Sequence, residues 1–76
     1  MNSVEKSFEI RMYGFSELAQ QYFPNIEPKS AAKNLRSWIK HSEALQEKLA
    51  KADYTVGQRI LSPRQVQVLI EHLGEP

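Results

Sequence analysis

A chain of 76 residues with no cysteine has to hold its fold by burying side chains alone. Disulfides and thiolate metal sites, common supports of domains this small, are excluded, while pairing with a second copy stays open. Hydrophobic residues make up 41% of the chain, which places it among globular rather than disordered sequences. The core must be thin, because ordering a short chain costs about 1.5 kcal/mol per residue and burial only roughly matches that. The longest unbroken apolar run is Val68 to Ile70. A transmembrane helix and a signal-peptide hydrophobic segment are therefore not expected. The expectation is a soluble, cytoplasmic single domain.

Residues 1–7 are polar and aperiodic and are expected to be disordered, which leaves 8–76 as one small helical domain. Phe8, Ile10 and Met12 alternate with Glu9, Arg11 and Tyr13, the period of two that marks a half-buried strand with the first set inward. Gly14 ends it. Ser16 then suits a helix N-cap, with Glu17 in the first turn, where the helix dipole favours a carboxylate. Leu18, Ala19, Tyr22 and Phe23 form one apolar face, and Pro24 stops this helix.

A second helix opens at Pro28, where the missing N–H costs nothing, and ends near His41. Its apolar face is Ala31, Ala32, Leu35, Trp38 and Ile39. Ser42 caps a third helix carrying Leu45, Leu49 and Ala52 at helical spacing. Asp53 to Gly57 reads as a turn, and Gln58 to Leu61 as a short strand with Ile60 inward. Ser62 and Gln65 fit a capping box around Pro63, and Val66, Leu69, Ile70 and Leu73 repeat before Gly74. The order is β-α-α-α-β-α, a mostly α fold with a small β element.

Catalytic chemistry is hard to place. The chain has one aspartate, Asp53, and two histidines, His41 and His72, far apart in sequence and outside any metal-ligand spacing. His72 sits near a helix C-terminus, where a cationic ring meets the dipole favourably. Gly14-Phe15-Ser16-Glu17-Leu18 begins like a nucleophile elbow but lacks the second glycine and a base, so Ser16 reads as a cap. No enzyme activity, cofactor, metal or small-molecule substrate is expected.

The net charge of +1 hides an asymmetry. From Lys29 to His41 there are four basic residues and no acidic one, and the remainder carries a net −3. Lys29, Lys33, Arg36 and Lys40 fall within about 60° of arc on a helix of about 100° per residue, one narrow stripe. Ser30, Asn34, Ser37 and His41 form an uncharged polar strip beside it. Cations next to short hydrogen-bonding side chains suit phosphates and base edges together; the plainer alternative is a helix face kept soluble by lysines.

A short helix, a tight turn and a basic second helix resemble a helix-turn-helix, and the strands before and after suit its winged variants. Ser16-Glu17-Leu18-Ala19 and Arg36-Ser37-Trp38-Ile39 are similar to the start of excisionase-like and mercury-regulator-like DNA-binding domains. A closer resemblance covers nearly the whole chain. Ile10-Arg11-Met12-Tyr13-Gly14, Glu17-Leu18-Ala19, Tyr22-Phe23-Pro24, Trp38-Ile39, Ser62-Pro63-Arg64-Gln65-Val66 and Leu73-Gly74-Glu75-Pro76 resemble a family of small Bacteroides-type proteins known only as a domain of unknown function. That resemblance implies a bacterial, intracellular, stand-alone domain and transfers no functional residue.

The functional expectation is a small regulatory protein that binds double-stranded DNA through its second helix, working as a homodimer. Lys29, Lys33 and Lys40 would meet phosphates, Asn34, Arg36 and Ser37 base edges, and Arg59 would add a contact from a wing. The alternative is a protein-interaction module using exposed Tyr13, Phe15 or Tyr54. Trp38, the sole tryptophan, is expected to be mostly buried, with Trp38→Ala costing about 3–5 kcal/mol.

Overall fold

Pro28 stands at the first position of the longest helix, and from there the apolar residues recur only on one side. A computed structural model describes residues 8–76; the tail expected to be disordered lies outside the described residues. The elements run β1 (Tyr13–Gly14), α1 (Phe15–Tyr22), α2 (Pro28–Lys40), α3 (Glu43–Lys51), β2 (Ile60–Leu61) and α4 (Pro63–Leu73). This is a small, mostly helical globule of four helices and a two-stranded antiparallel sheet. Tyr13 pairs with Leu61 and Gly14 with Ile60.

The core is a single cluster in which α1 packs along α2 and α3 along α4. Leu18, Leu35, Leu45, Leu49, Leu61, Val66 and Leu69 are fully enclosed. The helix ends follow the cap chemistry. Ser42 Oγ accepts from the Leu45 N–H at 3.2 Å, and Ser62 Oγ accepts from the Gln65 N–H at 3.2 Å. His72 at the end of α4 places Nε2 at 3.3 Å from the same Ser42 hydroxyl, tying the α4 C-terminus to the start of α3.

The N-terminal reading needs three corrections. The strand is two residues long, and its inward phase is the opposite of the one expected: Tyr13 is buried, while Ile10 and Met12 are exposed. Residues 8–12 fold over Tyr13 instead, with the Phe8 ring stacked on it at 5.3 Å and the Arg11 guanidinium 3.7 Å above it. The cause is Phe15, which opens α1 and is buried with Leu18 and Ala19; an inward Phe15 at period two requires an inward Tyr13. For the same reason Gly14, not Ser16, is the N-cap, and Ser16 lies exposed in the first turn. In β2 the register opposite Tyr13 turns Leu61 inward and leaves Ile60 outside, contrary to expectation.

Glu17 completes the α1 N-terminus. Its carboxylate accepts from the Gly14 N–H at 3.1 Å and from Arg11 at 3.0 Å. The Arg11 hydrogen bond, then the backbone one, hold the Glu17 carboxyl below its ordinary value. A lowered folded value means that this stabilisation is present above the unfolded glutamate range and is lost as pH falls through the folded value. A carboxyl-detected NMR titration is expected to place Glu17 below the ordinary glutamate value, and Arg11→Gln to move it back toward that value.

Trp38 corrects the expected core. It is 41% exposed, packed edge-on to Tyr22 at 5.8 Å and tilted against Phe23 at 4.7 Å. On a helix of about 100° per residue it lies at the rim of the arc spanned by Ala31, Ala32, Leu35 and Ile39. It closes the seam between α1 and α2 rather than filling the centre. Trp38→Ala is accordingly expected to cost about 1–2 kcal/mol, well under the cost of removing a fully enclosed aromatic. Thermal or denaturant unfolding checks this, and a loss above about 3 kcal/mol would mean that the indole carries the core.

Candidate nucleic-acid interface

The acid-free stretch becomes the outward side of α2. Lys29, Lys33, Asn34, Arg36, Ser37 and Lys40 are all exposed on this one helix. Among the described residues the only ion pair within 4 Å is Arg11–Glu17, so none of their carboxylates pairs with an α2 cation. Lys29, Lys33 and Lys40 extend from the outward side as a row without an ion-pair partner among the described residues. On helical geometry Ser30, Asn34, Ser37 and His41 stand beside them, between the lysines and the Trp38 rim. His41 is exposed and oriented locally: Nδ1 donates to the Ser37 carbonyl at 2.7 Å. Lys40 also sits in the last turn of α2, where a cation is favoured by the dipole.

Arg36 differs from the lysines. Its guanidinium lies 4.9 Å over the ring of Phe15, and its charge also reaches the Tyr54 hydroxyl. Burial pushes the Tyr54 hydroxyl up from its ordinary value, and Arg36 opposes that shift. The side chain is thus held at the flank facing the 53–58 turn. Arg59 is exposed, and its carbonyl accepts from the Phe15 N–H at 2.7 Å. Phe15 therefore joins Arg36 and the Arg59 backbone, although the two arginines lie far apart in the chain.

Two hollows flank α2. One, of about 490 Å³, is lined by Arg36, Ile39, Lys40, Gln46, Ala50, Tyr54 and Val56. The other lies on the Trp38 side and brings His41 near Ser42 and His72. No group of three or more metal-ligating side chains forms among the described residues. On the Trp38 side, Tyr22 donates its hydroxyl to the Gly74 carbonyl, and burial, with Glu75 adding to it, pushes that hydroxyl up to about 12. Two of the aromatics proposed for an interaction surface, Tyr13 and Phe15, are core residues, and Tyr54 is half-buried.

Gln46, Ala50 and Val56, which line the first hollow, carry no motif in the sequence. Gln46 and Ala50 are spaced one helical turn apart on α3, a signal that they share a face; that the face is concave depends on the 53–58 turn. With this arrangement defined, a family model described as a domain of unknown function, DUF4248, matches residues 9–76. The chain belongs to that family. The match runs from just before β1 through the end of α4, so both the core and the α2 face fall within the family domain. No curated protein and no solved structure matches the chain. No helix among the described residues is long and apolar enough to cross a membrane.

Proposed function

We propose that this DUF4248 member is a small DNA-binding protein in which α2 is the recognition helix of a winged helix-turn-helix-like arrangement. One observation carries the reading: four cations on the outward side of one helix with no carboxylate of the described residues within ion-pair distance. A solvated surface of a near-neutral protein commonly interleaves its charges, whereas this one leaves a single sign. Lys29, Lys33 and Lys40 contact phosphates, and Asn34 and Ser37 reach base edges from the adjacent strip. Arg36 reads a base from the flank where Phe15 holds it. Arg59, next to the 53–58 turn, supplies a wing-like contact. The short α1 and the 23–27 connection support α2 as the first helix and turn of such a motif do, and two copies would read paired half-sites.

Fluorescence anisotropy of a labelled mixed-sequence duplex at about 50 mM salt tests the proposal. Saturable binding is expected. Arg36→Gln is expected to lower affinity by about 1–3 kcal/mol and to relax sequence preference, the mark of a base contact. A uniform loss across sequences would make Arg36 a phosphate contact instead.

A further inference from the structure

The hollow beside Arg36 and Lys40 differs in kind from the exposed helix face that carries Lys29 and Lys33. Its lining is mainly apolar, from Ile39, Ala50, Tyr54 and Val56, and no carboxylate of the described residues takes part. A phosphate backbone has no use for that apolar lining, and Val56 at its lip is left 86% exposed. Both charges lie on one wall, one helical turn apart on α2. The volume of about 490 Å³ falls within the range of small-ligand sites, about 300–1,000 Å³.

The walls are preformed. Gln46 Nε2 donates to the carbonyls of Ile39 and Lys40, at 3.1 and 2.8 Å, and bridges the two helices at the end of the hollow. The Tyr54 N–H donates to the Leu49 carbonyl at 2.9 Å, which seats the opposite wall on the end of α3. One cationic side, an apolar lining and a bridged end define a ligand with one negative head and an apolar body that stops.

We infer that this hollow binds a small anionic amphiphile, a carboxylate on an apolar chain or ring. The carboxylate sits between Arg36 and Lys40, and the body lies on Ile39, Ala50, Tyr54 and Val56. The inference does not rest on DNA binding, since it needs only the hollow and its two cations.

The test is an amide-resolved NMR titration of the full chain with decanoate below its micellar range, with decan-1-ol and decylammonium as matched controls. Saturable shifts confined to residues 36–40, 46–50 and 54–57 are expected for decanoate, with decylammonium weaker by roughly tenfold or more. Lys40→Gln should weaken decanoate roughly fivefold, the scale of one partly exposed charge contact. Ala50→Phe, an exposed position on α3, should fill the hollow and abolish binding, and both variants are checked for wild-type melting. Equal response to decanoate and decylammonium overturns the inference, as do shifts centred on the Trp38 side or binding that survives Ala50→Phe. An acidic amphipathic helical peptide completes the set: saturation by the peptide without any by decanoate would replace the small ligand with a protein partner and also overturn it.

Discussion

Gln65→Leu is expected to destabilise the protein by about 2–4 kcal/mol, because two groups lose their partners in a region with little access to water. Gln65 is the one buried polar side chain among the described residues, 3% exposed. Its Oε1 accepts from the Ser62 N–H at 3.0 Å and from Gln58 Nε2. Its Nε2 donates to the carbonyl of Ala52 at 3.0 Å. Gln58 in turn accepts from the Thr55 N–H at 3.0 Å and donates to the Ile60 carbonyl at 2.7 Å. One side chain thus joins the α4 N-cap, the end of α3 and the 53–58 turn.

Leucine matches the bulk of glutamine but leaves the Ala52 carbonyl and the Ser62 N–H unpaired. For a domain of this size, total stability is about 0.05–0.15 kcal/mol per residue, so the loss is a large share of the whole. Gln67→Leu, on the same helix but exposed, is the control and should stay within about 0.5 kcal/mol of wild type. Denaturant unfolding measures both. Equal midpoints for the two variants would mean that the turn holds without Gln65.

The second large effect is electrostatic. Lys33→Gln with Lys40→Gln removes two of the four α2 cations and touches no buried position. If each lysine displaces condensed counterions from a phosphate, losing both weakens duplex binding by roughly a hundredfold at about 50 mM salt. Melting should change little, since neither lysine has an ion-pair partner among the described residues. Equal affinity in the double variant would return α2 to the status of a solvated helix face.

Where caps and periodicity were local, they were legible. Pro28, Ser42 and the Ser62–Gln65 capping box mark real helix starts, because each acts on backbone groups within a few residues of itself. The acid-free row was legible for a similar reason, since residues three and four apart share a helix face regardless of fold. What escaped depends on contacts distant in sequence. The phase of β1 goes with the burial of Phe15 and Tyr13 in one core with Leu61, which pairs with Tyr13 from far along the chain, and alternation alone fits either face. Trp38 looked central because tryptophan is apolar, but its angular position at the edge of the buried arc decides its exposure. Gln65 is legible as half of a capping box; its bond to Ala52 requires α3 and α4 to be packed together.

The central claim is that α2 meets a polyanion through its uncompensated cations. The direct test is the dependence of duplex affinity on salt, measured for wild type and for the Lys33/Lys40 double variant over the same range. Four phosphate contacts predict a log-affinity against log-salt slope of roughly −3 to −4, flattening by up to about two units in the double variant. Absence of duplex binding at about 50 mM salt by folded wild-type protein contradicts the account, and so does a slope that the two substitutions leave unchanged.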